Sequence, residues 1–284
     1  MNAPGKIVKV NDTHMHVYTI FSPATTNQST IVLLAGSGTA CPTYDFSPLW
    51  YLLKEKYNVV VVERPGYGWS GQTERPRDID TILEETRAAL RHAGIAGPFI
   101  PAAHSLSGLE AIYWAQKYPN EISAIIGLDM SVPQAYDELE LPKSMSLMIR
   151  LGHLLSKPTA ALMVRNHPAI KNNILDQKER KAMQYIASKQ LLSKNMVDEF
   201  DYVKENARKV SEGKCPQVPV LCFLSTDKSI LKSMPAWGQI HRDYFADNNQ
   251  TQFIELSCDH YVHTEAPEII ADSIAHFLVD SVPL

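Results

Sequence analysis

Ser105 stands where an apolar run, Gly97-Pro98-Phe99-Ile100-Pro101-Ala102, gives way to a helical pattern beginning near Gly108. A strand-to-helix corner can hold a serine hydroxyl in the open, as a nucleophile requires, if the turn is sharp and the residues two before and two after are small. In Ala103-His104-Ser105-Leu106-Ser107-Gly108 those positions hold Ala103 and Ser107, small but not the glycines of the strict pattern. An isolated serine at such a corner is usually an N-cap, and Ser107 is the better candidate for that role. Partners elsewhere in the chain decide between the two.

A serine attacks a carbonyl carbon when a base takes its proton. His260, in Asp259-His260-Tyr261-Val262-His263-Thr264-Glu265-Ala266-Pro267, follows the short run Phe253-Ile254-Glu255-Leu256 and is the candidate base. The base needs a carboxylate on its far ring nitrogen to fix the tautomer and stabilise the imidazolium. Two carboxylates end expected strands. Asp129 closes Ala124-Ile125-Ile126-Gly127-Leu128, and Asp227 closes Val218-Pro219-Val220-Leu221-Cys222-Phe223-Leu224-Ser225-Thr226. The residues leave both open.

These segments resemble the α/β-hydrolases, whose last strand is commonly followed by Gly-His and then Glu-x-Pro opening the final helix. Asp259 replaces that glycine. Two further stretches extend the resemblance from about Ile31 to the C-terminus. Ile31-Val32-Leu33-Leu34-Ala35-Gly36-Ser37-Gly38 is similar to the family's His-Gly oxyanion loop, with Ala35 in place of His. The resemblance implies that the N–H groups of Ser37 and Leu106, with Gly38 as the alternative to Ser37, hold the developing oxyanion; such a donor contributes ~10²-fold or more. Val59-Val60-Val61-Val62-Glu63-Arg64-Pro65-Gly66-Tyr67-Gly68-Trp69-Ser70 resembles the family's Asp-Arg-x-Gly-x-Gly-x-Ser loop, with Glu63 in place of Asp. That loop is structural in the family, its Arg pairing internally, so it receives no catalytic role, although Tyr67 or Trp69 could line the pocket. Most relatives carry the acid where Lys228 stands, one residue beyond Asp227, and some carry it at the position of Asp129.

The elements that must position these residues follow from the alternation of patterns. A hairpin about Asn11-Asp12 joins strands over 6–10 and 13–20, and short runs apolar on both faces recur near Ile31, Val59, Phe99, Ala124, Val218 and Phe253. Strands buried on both faces, with helices expected over 47–56, 78–93, 108–117, 235–246 and 267–278, predict a doubly wound, mostly parallel eight-stranded α/β sheet. Ser37, Ser105, Asp129, Asp227 and His260 then gather at the C-terminal ends of strands, where such sheets bind ligands.

Between residues 131 and 216 helical signals replace the alternation, over 143–155, 157–166, 176–192 and 195–212. The chain divides into a core domain, 1–130 with 217–284, and a helical insertion at 131–216, which the resemblance makes a cap over the serine. Five of the nine methionines, Met145, Met148, Met163, Met183 and Met196, fall there beside Leu147, Leu151, Leu154 and Leu155. Flexible apolar side chains suit an acyl pocket; packing of the helices explains any one of them as well.

Composition bounds the function. The 284 residues, 45% hydrophobic and 20% charged with net charge -4, suit a globular chain with a sizeable core, and scattered Lys and Arg offer no nucleic-acid or anionic-membrane footprint. No run approaches the ~18 apolar residues of a membrane span, and Met1-Asn2-Ala3-Pro4-Gly5-Lys6 lacks a signal-peptide core, so a cytoplasmic location is expected. Cys41, Cys215, Cys222 and Cys258 show no Cys-x-x-Cys spacing and are read as free thiols. His14 and His16 alternate on a strand with no third ligand, and His104 and His263 are expected to be structural neighbours of the site. His92, His153, His167, His241 and His276 match no motif.

The expected function is a serine hydrolase acting on small to medium carboxylic esters: His260 deprotonates Ser105, an acyl-enzyme forms, and water releases it. It requires no cofactor or metal. Its partner is a small-molecule ester, neither nucleic acid nor membrane, and homo-oligomers are left open. The same triad would serve carbon–carbon or amide hydrolysis or perhydrolysis, with Glu138 or Glu140 as amine-binding carboxylates in an aminopeptidase. A ligand-sensing receptor with little turnover is the alternative of another class.

Overall fold

A computed structural model describes residues 2–21, 30–137 and 164–281. Eight strands form one sheet in the order β1-β2-β4-β3-β5-β6-β7-β8: Lys6–Val10, Thr13–Ile20, Thr30–Leu34, Val59–Glu63, Phe99–His104, Ile125–Leu128, Val220–Ser225 and Thr251–Leu256, numbered along the chain. The hairpin β1–β2 is antiparallel and β2 pairs antiparallel with β4, while every pairing from β3 to β8 is parallel. Asn11, at φ 52, turns the hairpin, a backbone that asparagine tolerates.

Five of the six apolar runs become strands buried on both faces, every residue of β3, β4, β5, β6 and β7 being buried, whereas the run near Phe253 becomes the edge strand β8, in which only Leu256 is buried because no further strand covers it. Alternate residues feed two cores. Val32, Leu34, Val60 and Val62 join Leu83, Leu109 and Trp114 on one side, and Ile31, Leu33, Val59 and Val61 join Phe46, Leu49, Ile270 and Phe277 on the other. Helices Pro42–Asp45 (α1), Ser47–Leu53 (α2), Ile79–His92 (α3) and Ser107–Lys117 (α4) supply these layers in the first half. The short α1 matches no helical signal read from the sequence.

Between β6 and β7 the described residues are helical: Pro168–Lys171 (α5), Gln177–Gln190 (α6) and Lys194–Ser211 (α7), after a 3-10 turn at Pro133–Tyr136. A capping box between Asp176 and Glu179 starts α6, and Ser193 caps α7 through the Met196 N–H. The helix expected over 143–155, most of that over 157–166, Glu138, Glu140, Met145, Met148, Met163, Leu147, Leu151, His153, Leu154 and Leu155 lie outside the described residues. Met183 packs in a third cluster with Ile186 and Leu191 against Cys41 and Tyr44 of the sheet domain, and Met196 is fully buried. Lys228–Ser233 (α8), Trp237–Tyr244 (α9), Val262–Glu265 (α10) and Pro267–Ser281 (α11) complete the chain, and the four cysteines are free.

The loop after β4 holds two buried carboxylate systems. Glu63 accepts from the Thr43 N–H at 3.0 Å, the Thr43 hydroxyl at 2.8 Å and the Trp69 N–H at 2.7 Å, and meets His16 Nδ1 at 2.8 Å. Gly68, at φ 53, gives this carboxylate room; a Cβ there would lie 1.8 Å from Glu63 Oε2. His16 is thus a buried partner of Glu63, and among the described residues no cluster of His, Cys, Asp or Glu suits a metal ion. Arg64 pairs with Glu110 of α4 and with Glu199 of α7, each at 3.2 Å, and donates to Ala35 O at 3.0 Å. Tyr67, fully buried, donates to Glu199 Oε2 at 2.6 Å.

Breaking a buried pair leaves its partner charge stranded, at a cost of about 3–5 kcal/mol. Glu199→Ala is therefore expected to lower the unfolding free energy by about 3 kcal/mol, read from urea titration, with Glu199→Gln losing less. A loss of only a few tenths would show that Arg64 does not tie the insertion to the sheet.

Candidate active site

The corner between β5 and α4 is as sharp as the sequence predicts. Ser105 holds φ 53, a left-handed conformation that costs a non-glycine residue on the order of 1 kcal/mol or more. The turn is held open by its own carbonyl, which accepts from Gly108 N–H at 2.9 Å and Ser131 N–H at 2.8 Å. Ala103 and Ser107 are buried in the crowded flanks. Ser107 is not the N-cap: Leu106 occupies that position, and the Ser107 hydroxyl donates to Leu34 O at 2.6 Å and His104 O at 2.8 Å. Instead of capping, it ties the end of β3 to the corner, a use of the side chain that glycine could not supply.

The Gly-rich turn after β3 lies directly against the serine. A Cβ on Gly36 would sit 2.7 Å from Ser105 Cβ and 2.9 Å from His104 Nδ1, so only glycine allows this approach. Gly38 is required for a different reason: its φ of 80 suits glycine, while the space around it is open. Ser37 lies between them, and Leu106 follows the serine.

His260, on the loop after β8, places Nδ1 2.6 Å from Asp129 Oδ2. With Nδ1 donating to the carboxylate, Nε2 is left as the basic nitrogen. Its ring is 24% exposed on the side chain whereas Asp129 is fully buried, so the pair is dry at one end and open at the other. Asp129 Oδ1 accepts from the Ser225 N–H at 2.8 Å and from Trp237 Nε1–H at 2.7 Å. Of the two carboxylates left open by the sequence, the structure brings Asp129 to His260. Asp227 lies two residues past β7, its N–H donating to Ser225 Oγ at 3.2 Å. Asp129 itself adopts φ 50, whereas Asp259, which stands in place of the family's glycine, is not among the residues with positive φ. Ser225 and Trp237, which complete the carboxylate's hydrogen bonds, belong to no motif; nothing in their neighbours marks them.

His104 and His263 are close neighbours of His260 in space as well. His104 Nε2 donates to His260 O at 3.1 Å, and the His104 ring lies 4.7 Å from both the His260 and the His263 rings. His263 Nε2 and His167 Nε2 meet the two oxygens of Asp45 at 2.7 and 2.9 Å. Burial works against ionisation of Asp45, but the charge of His263 and the hydrogen bonds of both imidazoles hold its carboxyl well below the usual range. Thus His167 joins the helical insertion to α1, and His263 joins the His260 loop to it. A cavity of about 300 Å³ adjoins this cluster, walled by Gly38 and Tyr261 on the sheet side and by His167, Met183 and Leu191 on the other. Trp69 packs against the third apolar cluster and Tyr67 is spent on Glu199; among the described residues neither lines that cavity.

Burial, then the neighbouring His263 and His260, push His104 well below its ordinary value, so it stays neutral in the fold. The unfolded chain takes up that proton below about pH 6.5, which removes stability as pH falls, by about 1.4 kcal/mol per pH unit. Urea unfolding at pH 7, 6 and 5 should therefore show a shallower acid loss for His104→Gln than for the wild type. Equal slopes would mean that His104 binds a proton in the native state.

A family model described as the alpha/beta hydrolase family matches residues 31–273. The uncharacterized protein YbdG of Bacillus subtilis (strain 168) is 34% identical over 281 residues, 95% of this chain and 84% of that protein. A bifunctional esterase/perhydrolase, DCH, of Acinetobacter calcoaceticus is 32% identical over 83 residues, 29% of this chain and 30% of its own length. Among solved structures, Cfl2 of Burkholderia cenocepacia superposes with a TM-score of 0.69 at 20% identity, covering 96% of this chain and 94% of that one, a likeness of fold. No helix among the described residues is long and apolar enough to cross a membrane. The matched span takes in the parallel strands from β3 to β8, the serine corner and the histidine loop, and the chain belongs to the α/β hydrolase family.

Proposed function

We propose that the chain is a serine esterase that hydrolyses small to medium carboxylic esters through Ser105, His260 and Asp129. The observation that carries this reading is the pairing of His260 Nδ1 with the buried Asp129 carboxylate at 2.6 Å, beside a serine raised on a left-handed corner. His260 Nε2 takes the hydroxyl proton as Ser105 Oγ attacks the acyl carbon; the N–H groups of Leu106 and Ser37, or Gly38 in place of Ser37, receive the oxyanion. The imidazolium returns the proton to the leaving alcohol. Water, deprotonated by the same nitrogen, then releases the acid. Asp129 stays ionised throughout and offsets the charge on the ring.

The insertion, residues 131–216, serves in this reading as the cap, and the cavity between it and Gly38 takes the apolar part of the ester. A second outcome of the same chemistry is perhydrolysis, with hydrogen peroxide replacing water at the acyl-enzyme; the partial match to an esterase/perhydrolase favours testing it. Carbon–carbon and amide hydrolysis would use the same groups.

Ser105→Ala is expected to abolish turnover of short p-nitrophenyl esters and covalent labelling by a fluorophosphonate. Asp129→Asn should lower turnover roughly 10³-fold or more, while Asp227→Asn stays near the wild-type rate. Activity that survives Ser105→Ala rejects the serine mechanism. Tight ligand binding with no labelling of the wild type would instead identify a receptor.

A further inference from the structure

Helix α9 carries no motif, yet two of its buried side chains converge on Asp129. Trp237, 3% exposed, donates its indole N–H to Asp129 Oδ1 at 2.7 Å. One turn further on, His241 is fully buried, with Nδ1 2.7 Å from Trp237 O and Nε2 2.5 Å from the carbonyl of Met130. The two rings meet edge to face with centroids 4.5 Å apart. One helix thus grips the carboxylate of Asp129 and also the Met130 carbonyl just beyond it, which helps hold Asp129 at its φ of 50.

We propose that Trp237 is a positioning residue for the Asp129–His260 pair. Its indole N–H fixes the carboxylate rotamer that turns Oδ2 toward His260 and draws charge away from that oxygen, while His241 anchors the helix that carries the indole. This rests on Asp129 acting as the acid of the proposed triad. The titratable groups facing Asp129 are His260, His241, Cys222 and Cys258. Burial holds both thiols above their ordinary range and His241 below its own. His260 itself also faces His104, Tyr261 and the carboxylate of Asp259.

Without the indole N–H, Oδ1 keeps the Ser225 N–H and loses its other donor. A carboxylate with fewer donors is more basic and stabilises the His260 imidazolium more strongly, so the proton leaves the ring at higher pH. The same loss frees the carboxylate to rotate and slows activation of the serine.

The test is the pH dependence of the second-order rate at which a fluorophosphonate labels Ser105, a readout that needs no knowledge of the natural ester. It compares the wild type, Trp237→Phe, a variant with β-(3-benzothienyl)alanine at position 237, which keeps the bicyclic shape and replaces N–H by sulfur, and Asp129→Asn. Both changes at position 237 should lower the plateau about tenfold, the worth of one charge-assisted hydrogen bond, and move the acid limb up by about half a pH unit. In the Asp129→Asn background Trp237→Phe should add nothing.

A lower plateau with an unmoved limb would show that Trp237 only packs, and would overturn the proposal. So would wild-type behaviour at position 237 when Asp129→Asn has lost labelling, a result that leaves the triad standing. Wild-type labelling by Asp129→Asn would remove both the acid and its positioning residue. If Trp237→Phe does not fold, the isosteric benzothienyl variant decides.

Discussion

One buried guanidinium constrains most of what surrounds the candidate site. Arg64 leaves the end of β4 and reaches the Ala35 carbonyl, the Glu110 carboxylate on the helix behind the serine and the Glu199 carboxylate on the insertion. A charge withdrawn from water is tolerated only when it is paired and hydrogen-bonded, so these segments cannot drift apart singly. Ala35 precedes the glycine that touches Ser105 Cβ. The seating of the Gly-rich turn against Ser105 therefore depends on an ion pair set apart from the serine itself.

Two of the residues with positive φ flank the candidate site, and their strain is balanced locally. Ser105 and Asp129 end adjacent parallel strands, and both adopt positive φ. The Ser131 N–H donates to Ser105 O, so the loop carrying Asp129 also braces the corner carrying the serine. Backbone turned out of the sheet in this way lifts both side chains above the strand ends. His260 comes from the opposite end of the chain and meets Asp129 there, with His104 bonded to its carbonyl from beneath.

Legibility varied with how local the cause was. The hairpin, the buried strands and the five crossover helices were all visible as periodicity, because burial on one or both faces is written in the run of residues itself. The serine corner was visible through small residues at fixed offsets. Ser107 reads locally as an N-cap, but its hydroxyl turns to Leu34 O on a strand more than seventy residues away. The acid could not be chosen from strand ends alone. Asp129 and Asp227 follow the neighbouring strands β6 and β7, and local sequence says nothing about which one a distant imidazole approaches.

By itself the sequence determined the layered architecture, the sharp corner at Ser105 and the flanking glycine turn, since each depends on residue size, branching or backbone freedom within a few positions. Only the tertiary structure decided that His260 faces Asp129, that Trp237 and Ser225 complete that carboxylate, and that Arg64 binds the insertion to the sheet. Those contacts join side chains far apart in the chain. Their geometry follows from how the sheet and helices pack in three dimensions, which no short window of residues encodes.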